Sequence, residues 1–496
     1  HHYLRPAEFA AQYGPSAQDI QQVNNYLRAQ GFSVTHATPG QQVIDFSGSV
    51  ASVEQAFGVQ INTYRATDGH IFFANSAAPG VPAALRPLIQ NISGLSNAVI
   101  REHSPMQLQP FPARHVGGAD KAAVDPQSTQ CPGPGSSAAQ YYTPAQFATA
   151  YNFTGFYNAG YHGEGQNIAL FELDSYTPGD ISAYQACFDP KAPTRIATTL
   201  IDGGPPGQGT GGLAVEQDME IVLGMLPGLT NLSVYEAPNT DTGYNDEWMR
   251  ILTDDIPVVS TGWGICELNL SAIDIAAEQQ FFIQAAAQGQ SLLAASGDNG
   301  AYDCGDSTTL AVDDPASNPY MTGVGGTTLA LNSNNTYKSE SGWSNTPAPG
   351  YGSGGGLSQL WSMPSYQSGP GVINGQSSGS PCHATSGQYC REVPDVSFDA
   401  DPNTGYVVYC TVTASSCQPS NPFVRVGLTA AAVLMWAAVT ALSDQYALAH
   451  GGYNLGFLNP TLYTLLKSNT LYSLAFHDIK SGSNFYYSAS PGSDMV

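Results

Sequence analysis

Apolar positions recur at helical spacing near the start of the chain. Ile20, Val23, Tyr26 and Leu27 share one face of a helix predicted over 16–30, and Ser16 stands where an N-cap belongs. A short apolar run predicts a strand over 43–46. Residues 50–57 read as a second helix start, with Ser52 and Glu54 in its first turn, and 64–73 as a hairpin turning at Asp68-Gly69. Residues 1–106 therefore form a small α+β unit. The pattern stops at 107–140, where Pro, Gly, Ser, Ala and Gln dominate around Cys131-Pro-Gly-Pro-Gly, the composition of a linker or activation segment. From Tyr141 to the end, apolar strands alternate with helices: strands at 166–173, 232–237, 258–261 and 291–295, and helices at 215–226, 276–288 and 430–443. That alternation predicts an α/β domain over 141–496, with a mostly parallel sheet covered on both faces.

Composition narrows the setting. Of 496 residues 42% are hydrophobic, enough for a sizeable core, and only 11% are charged. The 39 acidic and 15 basic residues leave a net charge of −24, which argues against a nucleic-acid partner because phosphate binding needs basic patches. A chain with few ion pairs has little charge repulsion to gain and little pairing to lose in acid, so the balance fits a protein adapted to low pH. Eight cysteines without a C-x-x-C pair point to disulfides and a secreted, extracellular location. Cys382/Cys390 and Cys410/Cys417 are spaced as local clips. No apolar run approaches the roughly 18 residues of a membrane span. A secretion signal is expected upstream of His1 or already removed.

Six motifs stand in a fixed order. They are Tyr3-Leu-Arg-Pro-Ala-Glu-Phe with Tyr13-Gly-Pro-Ser; Tyr142-Thr-Pro with Ala150-Tyr-Asn-Phe; Gly163-Glu-Gly-Gln-Asn-Ile-Ala; Ser296-Gly-Asp-Asn-Gly-Ala; Pro394-Asp-Val-Ser; and Gly427-Leu-Thr-Ala-Ala-Ala. Together they resemble the sedolisin family of serine-carboxyl peptidases, in its pro-kumamolisin-like branch, across essentially the whole chain. The resemblance implies a subtilisin-like doubly wound sheet, a ferredoxin-like propeptide domain, bound calcium, and a further T-G-L-G-like segment after Val496. It also implies a serine nucleophile, a glutamate base four residues before an aspartate, and a second aspartate serving the oxyanion. A carboxylate suits acid, where a histidine of pKa about 6.5 is already protonated and accepts nothing.

Residue by residue, the resemblance meets alanines. In the helix Gly212-Leu-Ala-Val-Glu-Gln-Asp, Asp218 takes the aspartate position and Ala214 the glutamate position, one turn apart on one face. Glu216 is about 200° around from Asp218 and is expected to face away; a shifted register pairs Glu216 with Glu220 instead. Ala430 takes the serine position, with Leu428 where the family has glycine and Leu434 where it has proline. Thr429 is a neighbouring hydroxyl one residue out of place. Asp298 matches the oxyanion aspartate, and Glu172 with Trp263 the extension of the hydrogen-bond network. Asp478 and Asp494, with backbone oxygens of Ile479, Ser490 and Gly492, resemble the family's calcium ligands, hard oxygens suited to that ion. The serine and glutamate were either replaced to trap a zymogen or lost naturally in a pseudopeptidase, and Leu428 and Leu434 favour the second. Three functions follow: a peptidase held in its pro-form, a non-catalytic protein that binds a polypeptide substrate or peptide ligand besides its own propeptide, or an extracellular subunit that self-associates.

Overall fold

The buried runs after residue 141 do form one sheet. The computed structural model describes residues 3–36, 42–66, 69, 71–98, 100–103, 109–110, 131, 142–188, 194–345, 350–369 and 372–492. Most of the 107–140 segment, the start at Tyr141 and the metal candidate Asp494 lie outside the described residues. In chain order the sheet strands are β1 (Asn167–Glu172), β2 (Arg195–Leu200), β3 (Asn231–Glu236), β4 (Val258–Thr261), β5 (Ser291–Ala295), β6 (Thr322–Leu331), β7 (Tyr337–Gly342) and β8 (Val396–Asp399). Spatially they run β7-β6-β5-β4-β1-β3-β2, with β8 beside β6. Every pair is parallel except β6 and β7. β1 lies between β3 and β4, so the chain order reverses there, and the crevice at the strands' C-terminal ends is where such sheets hold ligands.

Four helices matter to that crevice: α1 (Gly212–Met225), α2 (Asp241–Asp254), α3 (Ala272–Gln288) and α4 (Leu428–Ala449). One core takes in α1, α4 and one face of the sheet, and a second takes in α2, α3 and the other. α4 qualifies the membrane expectation. Its 22 residues are long and apolar enough to cross a bilayer, but 78% of its most apolar window is buried inside the fold, the position of a core helix. The sequence pattern passed over α2 and the strands β2 and β6–β8. In β2 exposed and half-buried residues alternate, an edge-strand signature without an apolar run.

The N-terminal unit is α+β, as expected. Helix Ala17–Ala29 starts at Ser16, whose hydroxyl accepts the Asp19 amide, and Val50–Phe57 starts at Ser49 in the same way. The strand predicted at 43–46 is observed as Asp45–Ser47, paired antiparallel to Ser33–His36. Ile61–Arg65 and Ile71–Asn75 form the predicted hairpin; Asp68 in its turn is outside the described residues. Phe32, Phe46 and Phe57 pack ring to ring at 4.9–5.8 Å and anchor this unit's own core.

Four disulfides are present, and both predicted local clips are among them: Cys382–Cys390 and Cys410–Cys417. Cys266–Cys304 ties the short strand Ile265–Cys266 to the turn at Cys304, and Cys131–Cys187 ties the segment ahead of the α/β domain to the end of helix Pro178–Phe188. Phe57 is 2% exposed. Phe57→Ala is expected to remove about 3–5 kcal/mol from the N-terminal unit, read as faster amide exchange across Val50–Phe57 and Ala17–Ala29 with α4 unaffected.

Candidate active site

The crevice is assembled from strand ends and two helix starts. β1 ends at Glu172 and β4 at Thr261, paired through Phe171 and Thr261. Two residues past β4, the Trp263 indole N–H donates to Glu172 Oε2 at 2.9 Å. α1 places Ala214 and Asp218 one turn apart, both buried. Asp298 follows β5, and its Oδ1 accepts the Thr429 amide at 2.7 Å at the start of α4. That contact sets Ala430, the next residue, near the turn after β4: a methyl placed on Gly262 would meet the Ala430 methyl at 2.9 Å.

The other sequence candidates lie elsewhere or are already engaged. Glu216 accepts the Thr177 amide and Glu220 the Tyr409 amide, so both are buried on the side of α1 facing Asp180, not in the crevice. The shifted register is thereby set aside, and neither residue is solvated. The Thr429 hydroxyl donates to Gly297 O at 3.0 Å and Asp298 at 3.1 Å and is fully buried, so it is no substitute nucleophile. Leu428 has φ +74°, the left-handed backbone that glycine adopts freely.

A residue that sequence reasoning missed fills the centre. The His103 ring stands edge-on to Trp263 at 5.5 Å, with Nε2 3.7 Å from Asp218 Oδ1, and the same Gly262 methyl would meet its Nε2 at 2.4 Å. His103 belongs to the N-terminal part of the chain. Its neighbour Glu102 bridges to Gly264 through both backbone hydrogen bonds, 2.9 and 3.0 Å. Arg101 is buried with Nη2 3.0 Å from Glu278 and Nη1 3.4 Å from Asp241, its guanidinium 3.4 Å above the Tyr244 ring. The signal available in the sequence was Arg-Glu-His, three ionisable residues in a row in a chain with few.

Burial dominates the electrostatics. It pushes Glu172 well above the carboxylate range, helped by the charge of Asp218. Asp218 is raised by burial and drawn back by His103. The same cause lifts Glu267 and Asp444 to about 7 and Asp303 to about 8.

Of the calcium candidates, the structure brings Asp478 and Gly492 together. The Gly492 amide donates to Asp478 Oδ1 at 2.9 Å, so one loop brings these two together, with Ile479 and Ser490 in the same stretch. Asp478 also accepts the Tyr472 hydroxyl and pairs with Lys480 at 3.2 Å. A second acidic group, Asp180 with Glu216 and Cys410, is no better suited to a metal. Cys410 is held in a disulfide, and burial followed by Asp180 raises Glu216 to about 9, the mark of carboxyls that share a proton.

This fold and crevice define a subtilisin-like serine-carboxyl peptidase scaffold with a pro-domain. The chain belongs to the sedolisin family. Residues 1–98 match the Pro-kumamolisin, activation domain family. The whole chain is similar to kumamolisin of Bacillus sp. (strain MN-32), 32% identical over 99% of this chain and 83% of that protein. It is also similar to sedolisin of Pseudomonas sp. (strain 101), 28% identical over 99% and 78%. The solved structure of Pseudomonas sedolisin complexed with pseudo-iodotyrostatin superposes with a TM-score of 0.60 at 27% identity, covering 72% of this chain and 94% of that one.

The raised carboxyls fix the sign of the pH response. An unfolded chain releases these protons near pH 4, whereas the fold retains them to about 7 at Glu267 and Asp444 and about 8 at Asp303. Their stabilisation is complete below the unfolded values and is lost as pH rises toward the folded ones. The melting temperature is expected to fall steadily from about pH 4 to about pH 8; a rise across that window would show the groups ionised in the fold.

Proposed function

We propose that this chain is a pseudopeptidase of the sedolisin type, a pro-form scaffold whose crevice holds polypeptide without cutting it. The observation that carries the reading is chemical. The serine position is Ala430 and the glutamate position Ala214, and the hydroxyl next to Ala430 in the chain, on Thr429, is bound to Gly297 and Asp298. Loss of the nucleophile alone removes on the order of 10⁶-fold in rate in a subtilisin-type site, and loss of the base adds little. In this reading Asp218, Asp298, Glu172 and Trp263 persist as supports of a site whose reacting groups are gone.

Leu428 supports natural loss over replacement by design. A leucine held at φ +74° costs on the order of 1–3 kcal/mol. Its side chain is 1% exposed in the main core, and burial of a leucine returns about 1.5–3 kcal/mol. The two terms offset, so the substitution is tolerable, and a trapping experiment has no use for it. Four disulfides support an oxidising, extracytoplasmic setting.

Calcium, when bound, would be held by Asp478 and the backbone oxygens of Ile479, Ser490 and Gly492, with Asp494 completing the set and Lys480 turned aside; it would brace the C-terminal loop and supply no chemistry to the crevice.

Two measurements test these readings. Incubated with denatured protein at about pH 3.5, the unaltered chain is expected to generate no new amino termini, and their appearance would sink the pseudopeptidase reading. Added calcium is expected to raise the melting temperature, by about 2.7 kcal/mol of stability at roughly a hundredfold excess over Kd, and Asp478→Ala to abolish the gain.

A further inference from the structure

The N-terminal unit meets the α/β domain along α2 and α3, and one edge of the unit is sorted by the alternation of its side chains. Ile44 and Phe46 pack into the unit's own core, whereas Val43 packs against the core that holds α2 and α3. Gln42 donates to Gln284 of α3 at 2.9 Å. Asp45, on the same side of the chain as Val43, opens the strand Asp45–Ser47 and meets Asp246 of α2. Asp246 is hydrogen-bonded to the carboxyl of Asp45 and to that of Asp202, in the turn after β2.

Three acids thus meet across a joint between two parts of the chain. A carboxylate has only acceptors, so two carboxyls joined by a hydrogen bond hold a proton between them. Burial, followed by the charges of Asp45 and Asp202, pushes Asp246 up to about 9. The charged neighbours are engaged elsewhere. Arg250, the one cation of α2, pairs with Asp254 at 2.9 Å; Glu247 accepts the Glu172 amide at 2.8 Å; Asp241 pairs with Arg101. On the unit's own side His36 stands opposite Asp45 in the backbone register.

The other joints need no shared proton. The Leu4 amide donates to Ala287 O at 3.0 Å, Asn91 to Ile273 O at 3.2 Å and Asn245 to Ser93 at 3.1 Å, and Arg101 pairs with Glu278.

We propose that the contact of Asp45 with Asp246 and Asp202 is a proton-operated latch. It closes this edge of the N-terminal unit onto α2 in acid and opens it as pH rises, while the joints at Leu4, Asn91 and Arg101 keep the unit attached. The sign follows from the proton count. In the open state the acids regain water and ionise near pH 4, whereas in the closed state Asp246 keeps its proton to about 9. Closure is complete below the first value and is lost as pH rises toward the second. The latch lies outside the crevice and is indifferent to whether the crevice cuts.

The test is amide exchange on the full chain at about pH 5 and about pH 8.5, each rate divided by that of an unstructured peptide at the same pH. Phe46 and Ser47 report the latch, the Arg101 amide (bound to Asn239 at 3.1 Å) the far joint, and α4 the global fold. Protection at Phe46 and Ser47 is expected to fall about tenfold or more across that interval, beyond any change in α4, with Arg101 following α4. Asp246→Asn supplies an N–H donor that needs no shared proton, and it is expected to remove the extra fall. Protection at Phe46 and Ser47 that changes no more than that of α4 would overturn the proposal, as would an extra fall that survives in Asp246→Asn. If that variant does not fold, Asp45→Asn makes the same exchange from the other side of the joint and is read in the same two ways.

Discussion

The parallel register between β1 and β4 sets Leu170 beside Ser260 and Phe171 beside Thr261, and the rest of the crevice is built out from there. Because side chains alternate along a strand, a slip of one residue would turn Glu172 away from the Trp263 indole and invert the buried faces of both strands. The polar strand ends hold the register, Glu172 on the Trp263 indole, while Ile168, Leu170, Phe171, Val258 and Val259 are all fully buried. Once it is set, the strand ends deliver Glu172, Trp263 and Asp298 to one side of the sheet, and α1 and α4 pack across that side with Asp218 and Ala430.

Much of this was legible in local pattern. The one-turn spacing of Ala214 and Asp218 is a property of any helix, and α1 holds it. Helix starts at Ser16 and the strands Val258–Thr261 and Ser291–Ala295 were legible because capping and apolar runs are short-range signals. What escaped was long-range. The contact between Trp263 and Glu172 joins residues 91 apart, and Arg101 meets Glu278 across 177. Nothing near His103 in sequence announces Asp218, so the occupant of the crevice could be found only by folding the chain. α2 was missed for a different reason: Asp-Thr-Gly-Tyr-Asn-Asp-Glu-Trp mixes turn formers with buried aromatics, and burial of Tyr244 and Trp248 overrides the weak local propensity.

The low charge content takes on another meaning in three dimensions. Glu172, Glu216, Asp218, Glu220, Glu247 and Glu267 are all fully buried. Ionised, each would forfeit hydration that the interior does not replace; neutral, each is a hydrogen-bonding group of modest cost. The acidity of the composition is thus in part hidden acidity, compatible with a core so long as the protons stay.

The bond between Cys131 and Cys187 has a topological consequence. It closes a covalent ring containing everything from the stretch ahead of the α/β domain to the end of helix Pro178–Phe188, β1 included. A single backbone break inside that ring parts the polypeptide on paper only, because sulfur still joins the two fragments and the first of them keeps its seat. Liberation of the N-terminal unit as a separate molecule requires scission upstream of Cys131 or a reductant, so whether a nicked chain behaves as one body or two depends on which side of a single cysteine the nick falls.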